Sequence, residues 1–198
     1  VMYSNGEHCA GLCGIGAMLG TPIPQSVSDL SNCVSKTRDL GLLPRGLVCC
    51  PLMHGTGIWV GAMITHLTGG AVITVKKLGL DADLLLKQIE NERASLATIV
   101  GDAFARPMLN ALDQSQKDGK PYDLSSLKIM LSSGVMWSQE TKEGLLSHHD
   151  MMLVDAMGSS EGNMGIAVAA RGVPPKTASF QANEDVKVFD DNNREVTP

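Results

Sequence analysis

A chain of 198 residues that is 43% hydrophobic and 19% charged carries enough apolar side chains to bury a sizeable core. Its formal net charge of −5, with no cluster of Lys and Arg, excludes a basic surface of the kind that binds nucleic-acid phosphates. The longest apolar runs, residues 71–75 and 151–154 among them, fall far short of the ~20 residues a membrane helix needs, so no transmembrane segment is expected.

The first residues contain no basic stretch followed by an apolar one, so no signal peptide is read there. Cys9, Cys13, Cys33, Cys49 and Cys50 form no CxxC pair and sit in apolar contexts, which suits buried thiols in a reducing cytoplasm. His8, Cys9 and Cys13 match no zinc spacing and lack an evident fourth ligand. Gly14-Ile15-Gly16 lacks the preceding strand that a dinucleotide fingerprint requires. Gly11, Gly14, Ala17 and Gly20 suit instead a closely packed helix or a mobile segment. Residues 47–52 read as a strand closed by the turn His54-Gly55-Thr56-Gly57. A helix over 58–67 is stopped by Gly69-Gly70, and 71–75 is a second strand, completing a β-α-β unit. Asp81 is the expected N-cap of a helix carrying Leu84, Leu85, Ile89 and Glu92, and 97–100 is the next strand. Residues 106–113 are expected to be helical and 127–131 a strand, across a polar loop at 117–121. Ser138 is the expected cap of a helix running to Leu146, and 151–154 closes the series.

Alternating strands and helices predict an α/β fold with a mostly parallel sheet flanked by helices. After Pro174-Pro175, short β runs at 185–189 and 194–196 around the turn Asp190-Asp191-Asn192-Asn193 predict the start of a separate β subdomain. The expected division is 1–45, a helical or loop segment; 46–172, the α/β part; and 173–198, the β part. Sites in such sheets lie at strand C-terminal ends, where three loops stand out: His54-Gly55-Thr56-Gly57, Ser132-Ser133-Gly134-Val135 and Gly158-Ser159-Ser160-Glu161-Gly162.

The last loop satisfies G-x-S-x-G, which makes a serine hydrolase using Ser160 one reading. A nucleophile elbow, however, needs a helix directly after the serine and a later histidine as base, and no histidine follows His149. The three loops in this order, with Asp123-Leu124-Ser125-Ser126-Leu127-Lys128 before the second, resemble instead the family of acyl-CoA synthetases, luciferases and peptide-synthetase adenylation domains. Residues 98–107 and 155–162 look most like its fatty-acyl-CoA synthetase branch in actinobacteria and related bacteria.

The resemblance implies an ATP-dependent ligase that joins a fatty acid to coenzyme A through an acyl-adenylate, with Mg²⁺. Val1-Met2 would follow directly on the family's phosphate-binding loop, and the chain would stop inside its small β-barrel, so the isolated chain is expected to be inactive. By resemblance, Glu161 ligates Mg²⁺ and Ser160 contacts phosphate through its hydroxyl, where the family usually has Thr. Ser133, Gly134, Val135, Met157, Gly158, Ser159 and Ser160 would bind nucleotide, with Met157 where an aromatic residue usually stacks on adenine. His54, Trp59, Phe104, Gly134 and Met136 would bind the acyl substrate. The bare residues also allow ordinary turns at Gly134 and Gly158, a backbone-bonded His54, and core roles for Trp59, Phe104 and Met136.

Overall fold

The structure is a computed structural model that describes residues 4, 6, 8, 9, 11, 12, 17, 20, 22–77, 79–159, 162–182 and 186–196. Cys13, Gly14, Gly16, Ser160 and Glu161 therefore lie outside the described residues. A 3₁₀ turn, Val27–Asp29, leads into helix α1 (Leu30–Asp39). Strand β1 (Arg45–Val48) follows, then a π-helical segment (Thr56–Met63) that continues as the α-helical turn α2 (Ile64–Leu67). Next come β2 (Ala71–Ile73), α3 (Ala82–Asn91), β3 (Leu96–Ile99), α4 (Gly101–Lys117), β4 (Ile129–Ser133) and α5 (Gln139–His148). The chain then turns to β structure: β5 (Met152–Ser159), β6 (Gly162–Ala169), β7 (Gln181–Ala182), β8 (Val188–Phe189) and β9 (Glu195–Val196).

Among the described residues, seven strands form one sheet in the order β2-β1-β3-β4-β5-β6-β7, and β8 and β9 pair as a separate antiparallel ribbon. The pairs from β2 to β5 are parallel, whereas β5-β6 and β6-β7 are antiparallel. The expected mostly parallel α/β sheet is thus present. The run at 151–154 falls in β5, which closes the alternating parallel series; β6 and β7 then extend the sheet in antiparallel fashion.

Register explains which residues face which layer. The row Leu47, Ala97, Met130, Leu153 is aligned across four strands and packs with Leu85, Ile89, Met108, Leu112 and Leu145 of α3, α4 and α5. The alternate residues Leu96, Ile129, Leu131 and Val154 face the other side, with Val60 of the π-helical segment against them. On that side α2 approaches β1 so closely that a methyl group on Gly46 would sit 2.2 Å from Thr65 Oγ1. Helices therefore cover both faces, as a buried parallel sheet requires.

Both expected caps form: the Asp81 side chain accepts from Leu84 N–H at 3.0 Å, and Ser138 Oγ accepts from Thr141 N–H at 3.4 Å. Helix α4 differs from expectation by starting five residues earlier, with Pro107 inside it rather than in its first turn. Its first turn is secured from outside: Gly101 N–H donates to Ser132 Oγ (2.9 Å) and Asp102 N–H to Met136 O (3.0 Å).

Candidate active site

The sheet order puts β1 between β2 and β3, so the chain leaves β1 in one direction for β2 and returns on the other side for β3. Outside the carboxyl ends of strands at such a reversal a crevice opens. The loop after β1 carries Pro51 to Thr56, the turn after β3 is Val100-Gly101, and the loop after β4 is Gly134-Val135-Met136.

These three segments meet. A methyl group on Gly134, which has φ +98, would lie 3.6 Å from Val100 Cγ1 and 3.9 Å from Thr56 Oγ1. One on Gly101 would lie 2.5 Å from Met136 O and 2.6 Å from Val135 O. The π-helical turn starts at Thr56, in this crevice, and π-turns inside helices concentrate at functional sites. The fourth segment comes from β5: Ser133 at the end of β4 pairs with Ala156, and a register shift follows between Met157 and Gly158. Bulges of this kind re-aim side chains at sheet ends.

Among the expected site residues, Gly134, Val135 and Met136 are exposed at the crevice and Ser133 is half-buried. Met157, Gly158 and Ser159 are exposed on the end of β5. Gly158 and Ser159 belong to strand β5 rather than to a free loop, and a methyl group on Gly158 would come within 3.0 Å of Gly162 O across the hairpin. His54 is exposed; its N–H donates to Pro51 O (3.2 Å) and its C=O accepts from Ile58 N–H (3.0 Å). Trp59 is half-buried and meets the His8 ring edge-on at 5.1 Å, and Phe104 packs half-buried against two core clusters.

Four residues that sequence reasoning left without a role hold the loops in place. Asp102 accepts from Ser138 N–H at 3.0 Å and from Arg106 Nε at 3.0 Å. Burial works against its carboxylate, but hydrogen bonds from the Ser138 N–H and hydroxyl, from Arg106 and from Thr141 outweigh it and hold Asp102 below the ordinary aspartate range. Lys142 and Asp155 form a buried ion pair at 3.0 Å. Burial pushes the Asp155 carboxyl up, and the hydrogen bond and charge of Lys142 offset only part of the rise. Trp137 lies fully buried beneath Lys142, whose Nζ is 5.3 Å from the ring centre. Its signal in the sequence is local: with Ser138 as N-cap, Trp137 and Lys142 occupy the two positions that staple a helix start.

Asp102 gives a pH prediction. An aspartate with a depressed folded pKa contributes stability that is complete above the unfolded value of about 3.9 and is lost as pH falls through the folded value. Asp102→Asn is therefore expected to flatten the acid limb of the unfolding free energy, measured by urea denaturation at a series of pH values below about 5. An unchanged slope would contradict the assignment.

A model of the AMP-binding enzyme family matches residues 23–198. The chain belongs to that family. Within the AMP-binding family its similar proteins include a 3-oxocholest-4-en-26-oate–CoA ligase of Rhodococcus rhodochrous, 35% identical over 156 residues, covering 75% of this chain and 27% of the relative. A medium/long-chain-fatty-acid–CoA and 3-oxocholest-4-en-26-oate–CoA ligase of Mycolicibacterium smegmatis is 30% identical over 154 residues, again 75% and 27% of the two chains. The chain thus spans about a quarter of the length of the curated relatives it matches. Among solved structures, the luciferase-like enzyme of the mealworm Zophobas morio superposes with a TM-score of 0.62 at 18% identity over 78% of this chain and 36% of that one. An anthranilate–CoA ligase in complex with anthranoyl-AMP gives 0.60 at 20% identity over 78% and 29%. The shared fold is that of adenylate-forming enzymes.

This fold also bears on the hydrolase reading. The residues after Gly162 run as β6, antiparallel to β5, where a nucleophile elbow would need a helix.

Proposed function

We propose that the chain forms the central part of an ATP-dependent acyl-CoA synthetase acting on a fatty or similarly apolar carboxylic acid in the cytoplasm, with residues 173–198 opening its β subdomain. A carboxylate oxygen attacks the α-phosphorus of ATP, the bond to the bridging oxygen breaks and pyrophosphate leaves. The thiol of coenzyme A then attacks the acyl carbon and displaces AMP, its proton passing to solvent. The observation that carries this reading is the meeting of Thr56, Val100 and Gly134 at the sheet's reversal point, beside the end of β5. Such in-line displacement requires alignment and charge neutralisation more than a protein nucleophile.

In this reading Gly134, at φ +98, and Gly158 let a nucleotide approach the backbone of the two strand ends. Ser133, Val135 and Ser159 flank it, and Met157 offers its thioether to the base. His54, Trp59, Phe104 and Met136 border the acyl side. Mg²⁺ in nucleotide sites is held by one or two carboxylates together with phosphate oxygens, so the carboxylate of Glu161, next in sequence to Ser160, suits it as a donor type and would help neutralise the phosphates. The named relatives are ligases of medium- and long-chain fatty acids and of 3-oxocholest-4-en-26-oate.

The test is ATP–pyrophosphate exchange by the full-length protein that carries this chain, with and without medium- and long-chain acids. Acid-dependent exchange and thioester formation with coenzyme A are expected, with ester hydrolysis at background. The isolated 198 residues are expected to give background exchange. Glu161→Gln should lower exchange at limiting Mg²⁺ at least tenfold, roughly 1.4 kcal/mol, with the melting temperature unchanged. Exchange that ignores every acid offered would sink the proposal, and a fully active Glu161→Gln would sink the metal role.

A further inference from the structure

Lys142 has no part in the chemistry proposed above, yet its ammonium group is buried where strand β5 passes under helix α5. Its side chain is 3% exposed and that of its partner Asp155 is 5% exposed. Lys142 Nζ donates to Asp155 Oδ2 at 3.0 Å and to Lys176 O at 3.4 Å, and it rests over Trp137. Taking two charges out of water is costly, and apolar residues of similar volume usually serve stability equally well. What an ion pair adds is direction.

That direction leads to the site. Asp155 and Met157 point to the same face of β5, because side chains two apart on a strand share a face. Fixing the Asp155 carboxylate therefore fixes the twist of the strand just before the register shift at Met157/Gly158. At its other end Lys142 belongs to α5, whose cap residue Ser138 donates its N–H to Asp102, while Asp102 N–H donates to Met136 O. Gln139 N–H donates in turn to Thr177 Oγ1 at 2.8 Å, which ties the same helix start to the segment carrying Lys176. One network thus joins the segments following β3 and β4 to the end of β5.

We infer that Lys142, through its buried pair with Asp155, is a positioning residue that sets where the end of β5 presents Met157, Gly158 and Ser159 to a nucleotide. The inference rests on the proposed acyl-CoA synthetase reading and names a part of that site which touches no substrate. It acts on ATP more than on the acid, because Met157, Gly158 and Ser159 follow Asp155 directly along β5, whereas the network meets the acyl side only at the backbone of Met136 and at the start of α4, which carries Phe104.

The decisive variant is the apolar double replacement Lys142→Met/Asp155→Leu in the full-length protein. Its melting temperature should stay near that of the parent, while KM for ATP in acid-dependent exchange rises about tenfold and kcat changes much less, the pattern of lost uniform binding. KM for the acid should move less than KM for ATP. Lys142→Arg, which keeps the charge pair with a bulkier planar head, should raise KM for ATP by less than the double variant. Unchanged KM for ATP in the double variant overturns the inference. So do equal losses for ATP and acid with a lowered melting temperature, which mark a purely structural pair. Should the double variant fail to fold, Lys142→Arg alone decides: a fold-competent protein whose KM for both substrates shifts equally overturns the inference. An unsubstituted protein that performs no acid-dependent exchange removes the synthetase reading itself, and this inference with it.

Discussion

Gly101→Ala is expected to destabilise the chain by about 2–5 kcal/mol, a large share of the stability of an ordinary domain. Two costs add. Gly101 has φ +46, a conformation that costs an L-residue roughly 1–2 kcal/mol. The new methyl group would also sit 2.5 Å from Met136 O, 2.6 Å from Val135 O and 2.7 Å from Val135 Cγ2. Two of those neighbours are backbone, so relief has to come from moving the loop after β4. Gly119→Ala supplies the control, since Gly119 has φ +66 and open space around its Cα. It should lose only the conformational term of about 1–2 kcal/mol. Urea unfolding of both variants separates clash from conformation, and equal losses would show that the carbonyls of Val135 and Met136 do not constrain the turn.

The same glycine shows where sequence reading stops. Asp81 and Ser138 were legible as caps because a cap is a local device: an acceptor side chain three residues before the amide it binds. Gly134 and Gly158 were legible as glycines near strand ends because they stand in motifs of recognisable order. Gly101 gave no such signal, since its need for a left-handed backbone is imposed by the loop after β4, more than thirty residues along the chain. Helix α4 was misjudged for a related reason. Pro107 suits a first turn, but the real first turn is tied down by Ser132 and Met136, which no local pattern reveals.

The end of the sheet was harder still. Residues 162–166, Gly-Asn-Met-Gly-Ile, have weak strand propensity, yet they form β6 because β5 on one side and β7 on the other satisfy their backbone groups. Pairing between distant segments overrides local preference there. The buried pair Lys142 and Asp155 was hidden by its chemistry: a lysine on a helix reads as a solvated face unless the register that brings Asp155 beneath it is known.

Trp137 could have been read from the sequence and carries the second large effect. It is fully buried, it lies at the position before the Ser138 cap, and Lys142, four residues into α5, rests over its ring. Removing the ring leaves a cavity in a core cluster whose other members, Leu145 and Met130 among them, are almost fully buried and cannot fill it without leaving their rotamers. Trp137→Ala is therefore expected to cost about 3–5 kcal/mol in urea unfolding. Trp137→Phe keeps most of the apolar ring and deletes an indole N–H that has no hydrogen-bond partner among the described residues. Removing an unpaired buried donor relieves a penalty of roughly 1–3 kcal/mol, which offsets the lost volume, so the Phe variant should lie within about 1.5 kcal/mol of the parent. Intrinsic fluorescence of the remaining Trp59 follows both transitions. A Phe variant as unstable as the Ala variant would mean that the indole N–H is bonded and matters more than the ring. An Ala variant that loses less than about 1 kcal/mol would mean that the start of α5 does not depend on this staple.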